Sequence, residues 1–373
     1  MARLDKLRKG IDSVDKEILD LFLKRMDLVE KVIENKKKNN KKIYDPKREE
    51  KILKQKVNLV KSEELKPFVK DFFVYLMNSS KKYQQKKYDN TTNESCDEKI
   101  GYLGKKGSFS YIAAKKYFGD KGFISFNDFE IIFKKVNESK IDYGILPIEN
   151  TSTGSIIEVY DLLRKYDLNI VGEKSIEIRH HLLAKKKVKL KDINTVYSHP
   201  QAIKQSKEFL QKNNLEYINK ENTSISALNV SESKKDDIAA IASKEASEIY
   251  GLNILRSNIN YNSKNITRFI IIAKRQLKIK DANKLSLGFS VKHTPGSLYD
   301  VLKVFNESHI NLFKIESRPI LGSPFEYYFY VDIEGNLKDD NIKMALKNIK
   351  QNVVSMKIFG NYKGDKKWKN LVY

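Results

Sequence analysis

Apolar positions recur at alternating steps of three and four along the first segment of the chain: Leu4, Leu7, Ile11, Val14, Ile18, Leu21, then Leu28 and Val32. This heptad stripe predicts a long helix that packs along a partner. One stripe position, Arg25, carries a guanidinium instead of an apolar side chain. A second helix is expected from Asp45-Pro46, where an N-cap acceptor precedes proline at the first helical position. A third is expected from about Pro67 to Gln85. The stretch "QQKKYDNTTNESCDEK", 84–99, is polar and rich in turn formers, and reads as a linker. From Ile100 to about Arg275, short β-rich runs such as "DYGILPI", "NTVYSHP" and "RFIIIAKR" alternate with helical patterns, which argues for an α/β region. From Leu285 the order strand, helix, strand, strand, helix, strand is the ferredoxin-like βαββαβ unit.

Composition narrows the class. A chain of 373 residues suggests two or three domains, and 40% hydrophobic with 32% charged residues suits a folded protein with a core. Lys+Arg of 71 against Asp+Glu of 48 gives +23, but the lysines are spread along the whole chain. A compositional bias explains them better than a nucleic-acid patch, and the field would still draw in a small dianion. The single cysteine, Cys96, leaves no disulfide within the chain and suggests a reducing compartment. "MARLDKLRKG" lacks an apolar signal core, and no apolar run approaches the roughly 20 residues of a membrane span. The expectation is a cytoplasmic protein with no nucleic-acid and no membrane partner.

The helical segment carries candidate anion chemistry. A guanidinium in an apolar seam is costly unless it is paired or meets an anion. A salt bridge to Glu49 or Asp45 is one reading of Arg25. Lys36 follows it by eleven residues, about 16 Å and three helical turns, on nearly the same face. Arg48 and Glu49 fall in the first turn of the second helix, and Ser80 and Gln84 share a face of the third. Arg8 precedes Arg25 by seventeen residues, about 26 Å along a straight helix, too far for one small ligand to bridge. If both serve one kind of site, Arg8 must reach into a partner chain's copy.

This arrangement, over residues 3–88, resembles the all-helical chorismate mutases, which are intertwined dimers. Arg8, Arg25, Lys36, Asp45, Arg48, Glu49, Ser80 and Gln84 match that family's active-site set. The resemblance implies that Arg8 of the partner, Arg25 and Arg48 bind the carboxylates of chorismate. Lys36 and Gln84 would donate to its ether oxygen, Glu49 would hold its hydroxyl, and Asp45 and Ser80 would support them. A pericyclic rearrangement needs held ends and charge stabilisation rather than a nucleophile, and forked arginines suit carboxylates. Lys37, Lys38, Lys41 and Lys42 read as solvated surface.

In the central segment "GSFS", "PIENTSTGSI", "IRHHLLA", "YSHPQAIKQS" and "NITRF" together resemble prephenate dehydratase, over residues 99–276. The glycine and serine turn at Gly104, Gly107, Ser108 and Ser110 is either an anion-binding helix start or only a tight turn. The hydroxyl-rich turn at Asn150–Thr153 is either a substrate contact or only a cap. The resemblance implies two α/β lobes with the active site between them. Thr267 would assist departure of the hydroxyl, Arg268 would bind a carboxylate, and Ser108, Asn150, Thr151 and Ser152 would contact substrate. A threonine is a poor general acid by pKa, so Thr267 is expected to act as an aimed donor. His180, His181 and His199 are either ligands or acids, or hydrogen-bonded structural residues; with no metal-ligand spacing the structural reading is favoured, least so for His199.

"HTPGSLYDVL" and "ESRPI" resemble the ACT regulatory domain, whose phenylalanine site lies between paired subunits. Gly296, Ser297 and Leu298 with Tyr299, and Glu316, Ser317, Arg318 and Pro319, match its two halves; "GSLY" departs by one small residue from the commoner GAL-type stretch. Alternatively, Pro295-Gly296 is only a turn and Arg318 an edge-strand charge.

The expected fold class is multidomain: an all-α chorismate mutase-like domain at 1–88, a linker at 89–98, a two-lobed α/β, periplasmic-binding-protein-like dehydratase domain at 99–276, and an α+β ferredoxin-like ACT domain at 284–363. The expected activity is bifunctional, taking chorismate to prephenate and prephenate to phenylpyruvate under feedback by phenylalanine. The expected assembly is a homodimer or homotetramer, and no metal, nucleotide or organic cofactor is implied. An arogenate dehydratase is the nearest rival, but a fused mutase makes prephenate itself the substrate at hand. A basic nucleic-acid-binding protein would instead show steeply salt-dependent binding. A two-lobed solute-binding regulator would bind ligand without turnover.

Overall fold

A computed structural model describes residues 2–38, 46–91 and 98–365, apart from Ser263, Lys278 and Leu321. The chain forms two compact units, Met1–Cys96 and Asp97–Tyr373.

The first unit is helical. α1 spans Ala2–Lys38, α2 Pro46–Asn58 and α3 Lys66–Thr91. At 1.5 Å per residue α1 is about 55 Å long, the single uninterrupted helix that the heptad stripe requires. Both α1 and α2 pack on α3. Among the described residues Met77 is the only fully buried apolar side chain of this unit, and the stripe stays exposed: Leu7 at 62%, Ile11 at 60% and Leu21 at 64%. Three helices with so small a core leave α1 an unpartnered apolar face.

The second unit opens with an α/β lobe. Its elements are β1 Lys99–Leu103, α4 Phe109–Phe118, β2 Gly122–Phe126, α5 Phe129–Asn137, β3 Tyr143–Asn150, β4 Gly154–Ser155, α6 Ile157–Lys165 and β5 Asn169–Glu177. The chain then crosses into a second lobe: β6 His181–Ala184, β7 Thr195–Ser198, α7 Pro200–Gln205, α8 Lys207–Lys212, β8 Glu216–Asn219, α9 Thr223–Glu232, β9 Ile238–Ala242, α10 Lys244–Tyr250 and β10 Asn253–Arg256. β11, Ile266–Ala273, returns to the first lobe and lies antiparallel between β3 and β5. The sheets run β2-β1-β3-β11-β5, with β4 on β3, and β10-β6-β9-β7-β8. β11 is buried at every position, as its unbroken "FIIIA" run demands of a central strand covered on both faces.

The last part is the predicted βαββαβ unit: β12 Lys284–Ser290, α11 Ser297–Glu307, β13 Leu312–Ile320, β14 Ser323–Glu334, α12 Asp340–Asn352 and β15 Ser355–Tyr362. Its sheet is ordered β13-β14-β12-β15. α11 and α12 cover one face through Leu285, Leu287, Phe289, Val301, Phe305 and Ile349. The other face places Tyr328, Tyr330, Phe359 and Tyr362 in the same core as Leu146, Val159 and Ile170 of the first lobe. Here β15 runs so close to β5 that a Cβ on Gly360 would lie 2.0 Å from the Ile170 carbonyl oxygen.

Candidate active sites

In the helical unit, two predicted site residues meet. Arg25 on α1 is half-buried and donates through Nη1 to the Ser80 hydroxyl on α3 and, at 3.5 Å, to the Leu76 carbonyl. Ser80 is buried, and its own hydroxyl donates to the Leu76 carbonyl at 2.8 Å. Burial lowers the Arg25 pKa from its ordinary value. No carboxylate among the described residues pairs with it, so its charge is met by neutral oxygens. Arg8 stands apart: it is exposed and pairs loosely with Asp5 at 3.8 Å. Asp45, Lys41 and Lys42 lie outside the described residues, as do the side chains of Lys36, Lys37, Lys38, Arg48, Glu49 and Gln84.

In the second unit a cavity of about 210 Å³ lies between the two α/β lobes, on the wall built by β3, β11 and the start of α4. Thr267 and Asn150 are register partners on β11 and β3. Asn150 Nδ2 donates to Thr267 Oγ1 at 2.8 Å and to Asn265 Oδ1 at 2.7 Å. Its Oδ1 accepts from the backbone amides of Ser152, at 2.9 Å, and Thr153, at 3.2 Å. The amide is therefore fixed in orientation, and it cannot accept from Thr267. The Thr267 hydroxyl oxygen accepts this hydrogen bond on a lone pair, which leaves its own O–H free to donate toward the cavity.

The network runs on to the opposite wall. Gln205 Oε1 accepts from Asn265 Nδ2 at 3.1 Å and bonds His180 Nε2 at 2.9 Å. An amide oxygen cannot donate, so Nε2 carries the imidazole proton. Burial pushes the His180 pKa down to about 4, against the Gln205 bond that raises it, and the ring is neutral at neutral pH. His199, which N-caps α7 through Nδ1, is also lowered by burial. Thr153 Oγ1 accepts from Gln201 Nε2 at 2.6 Å, tying the two walls together.

The other predicted contacts divide. Ser108 lines the cavity, but its hydroxyl caps α4: it accepts from Tyr111 N at 3.2 Å and donates to the Leu103 carbonyl at 3.0 Å. Thr151 does not line the cavity. Its hydroxyl donates to the Lys264 carbonyl at 3.0 Å and accepts from Ile266 N at 2.9 Å, clasping β3 to the segment that enters β11. Ser152 likewise accepts from Asn262 at 3.1 Å. Arg268 lies on the other face of the same strand. Successive strand residues face opposite sides, so its side chain points away from the Thr267 cavity, is 2% exposed, and pairs with Glu149 at 3.1 Å, Glu173 at 3.3 Å and Asp332 at 2.7 Å. It is not a cavity ligand. Gln205, Asn265 and Gln201 were not singled out from sequence, although they sit inside the quoted "YSHPQAIKQS" and "NITRF". What favours anions at the cavity is the pair of helix starts that line it, Ser108-Phe109 at α4 and Asn222-Thr223 at α9.

In the βαββαβ unit, Gly296, Ser297 and Leu298 line a cavity of about 500 Å³ with Tyr299, Phe325 and Phe329. Gly296, at φ +84, holds the left-handed turn that starts α11. The other half lies elsewhere in the same chain. Glu316 and Arg318 turn inward from β13, Glu316 to Ser155 and Arg318 to Asp161 at 3.0 Å, while Ser317 and Pro319 face outward. One chain does not bring the two halves together.

Three family models match in succession: chorismate mutase type II over residues 7–85, prephenate dehydratase over 100–277 and the ACT domain over 285–351. The class is thus a fused mutase and dehydratase with a regulatory module. The bifunctional chorismate mutase/prephenate dehydratase of Aquifex aeolicus is 35% identical over 97% of this chain and 98% of its own. The chain belongs to the bifunctional chorismate mutase/prephenate dehydratase family. Among solved structures, prephenate dehydratase from Arthrobacter aurescens in complex with L-Phe is 26% identical, with a TM-score of 0.66 over 71% of this chain and 90% of that one. The structure described as GqqA, a novel type of quorum quenching acylase, is also 26% identical, with a TM-score of 0.68 over 72% of this chain and 99% of that one. No described helix is long and apolar enough to cross a membrane.

Proposed function

We propose that the helical unit rearranges chorismate to prephenate, that the cavity beside Thr267 converts prephenate to phenylpyruvate, and that phenylalanine inhibits through the ACT domain. In the first step the ether C–O bond breaks as a C–C bond forms, with no proton transfer. Arg25, desolvated and without a carboxylate partner among the described residues, is the cation that grips one substrate carboxylate. Arg8 serves the partner chain's site in a homodimer, or within a homotetramer. In the second step the ring carboxylate leaves as CO₂, its bonding electrons enter the ring, and the hydroxyl departs with one added proton as water. Thr267 aims its O–H at that leaving oxygen, and the helix starts of α4 and α9 receive the carboxylates. The observation that carries this reading is the Asn150-to-Thr267 bond at 2.8 Å, which leaves the Thr267 proton for the cavity. The L-Phe in the Arthrobacter structure supports phenylalanine as the effector.

The test supplies purified protein with chorismate and follows phenylpyruvate, with and without phenylalanine. Arg25→Ala is expected to cut mutase turnover at least about a hundredfold and leave turnover of added prephenate intact. Thr267→Val is expected to do the reverse, by about 10²–10³ in kcat. Full dehydratase turnover in Thr267→Val removes that residue from its role.

A further inference from the structure

The Arg268 shell deserves a function other than ligand binding, because none of its contacts is free to be exchanged for a substrate. On β3 and β11 the register partners alternate: Thr267 with Asn150, then Arg268 with Glu149. The first pair meets the cavity and the second lies behind it. Four more buried or nearly buried charges close around the second pair, making a cage of six. Arg268 bonds Glu149, Glu173 and Asp332. Lys284 holds Glu173 at 2.8 Å and reaches Asp332 at 3.8 Å, and Lys314 bonds Glu149. Three cations, Arg268, Lys284 and Lys314, thus face three carboxylates. Neutrality matters here, since removing one partner of a buried ion pair leaves an uncompensated charge. Half of the cage comes from the ACT sheet: Lys284 from β12, Lys314 from β13 and Asp332 from β14.

The geometry points to Arg268 as a positioning residue: it fixes the strand pair that aims Thr267 and Asn150, and the ACT sheet grips that pair through Asp332, Lys284 and Lys314. Lys314 is the exchangeable member. Its ammonium also donates to Ser155 Oγ at 2.8 Å, next to the Asn150–Gly154 turn, and it lies 3.8 Å from Glu316, two residues on along the same strand face. Glu316 itself bonds Ser155, and Arg318 bonds Asp161 on α6. Displacement of β13 therefore removes one of the two cations that balance Glu149, the immediate neighbour of Asn150. Effector state and catalytic geometry share one ion cage. This rests on the phenylalanine-feedback and Thr267 readings above and adds the element that joins them.

Full-length protein carrying Arg268→Lys, or Lys314→Met, is assayed with prephenate for kcat and KM, with chorismate as the control for the helical unit, and with phenylalanine by calorimetry. Arg268→Lys is expected to lower kcat about tenfold or more with KM within about twofold. A tenfold rise in KM at parental kcat, or no change in either, overturns the positioning role. Lys314→Met takes away the most exposed cation of the cage, 19% exposed at its edge, and Glu149 keeps Arg268 as its partner. It is expected to keep phenylalanine binding while the inhibitor concentration for half-effect rises about tenfold. Parental inhibition, or loss of phenylalanine binding itself, overturns the coupling. If Arg268→Lys does not fold, Lys314→Met decides. If the parent ignores phenylalanine, or Thr267→Val keeps full turnover, it is the underlying reading that fails; the Arg268 split between kcat and KM is then still read independently.

Discussion

At the scale of the residue, the dehydratase cavity is an exercise in assigning protons. Asn150 and Asn265 are amides whose donors and acceptors are set by neighbours, and Gln205 Oε1 accepts from two of its own, which fixes the hydrogen-bonding sense at one hydroxyl and one imidazole. His180 is the titratable member of this chain, and its burial makes it an acid-sensitive point. The unfolded chain takes up a proton on this ring near pH 6.5 and the folded chain only at about 4. The unfolded state thus binds more protons between those values, and stability falls as the pH drops from 6.5 to 4. The difference corresponds to about 3 kcal/mol at its full extent. Urea unfolding of the second unit is expected to weaken from pH 7 to pH 4.5, and His180→Gln is expected to flatten that part of the profile. An identical slope in the variant assigns the acid sensitivity elsewhere, to His181 or His199, whose pKa values burial also lowers.

At the scale of the element, strands with two working faces explain what the sequence reveals and what it hides. The heptad of α1, the Asp-Pro start of α2 and the βαββαβ order are periodic signals, and each element lies where its period placed it. Thr267 and Asn150, singled out from short polar motifs within apolar strands, both line the cavity. Arg268 follows Thr267 in one contiguous motif, yet the pleat sends the two side chains to opposite faces, which the motif alone does not show. Thr151 and Ser152 lie outside the cavity lining because their hydroxyls are engaged elsewhere, Thr151 with backbone and Ser152 with the Asn262 amide. Gln205 and Asn265 are visible only once a helix of one lobe and a strand of the other share a wall. Gly360 makes the point for packing. Its absent Cβ lets β15 approach β5, and no local signal announces it. Gly360→Ala is expected to cost about 1–3 kcal/mol by overpacking, seen as a lower unfolding midpoint of the second unit. An unchanged midpoint means that the two strands separate freely at that point.

At the scale of the whole molecule, the decisive feature is an apolar stripe that no described residue covers. Leu4, Leu7, Ile11, Val14 and Ile18 all lie exposed along the first half of α1, far from the half-buried Arg25. Burying one such side chain contributes about 1.5–3 kcal/mol, so a seam of them from two copies outweighs the entropy of association. The same geometry gives Arg8 a task, since about 26 Å of helix separates it from Arg25 and only a second chain can bring an Arg8 to that site. Ile11→Glu places two carboxylates in the seam without touching Arg8, Arg25 or Ser80. Sedimentation is expected to show weaker assembly at micromolar concentration, with mutase turnover falling at least about tenfold. Turnover of added prephenate is expected to stay within about twofold, because its cavity lies in the other compact unit. A parent protein that is monomeric and fully active as a mutase at the same concentration removes the need for a second chain, and with it the role given to Arg8. If instead assembly and mutase activity fall together as Ile11→Glu is diluted, the stripe and the catalytic arginine belong to one interface.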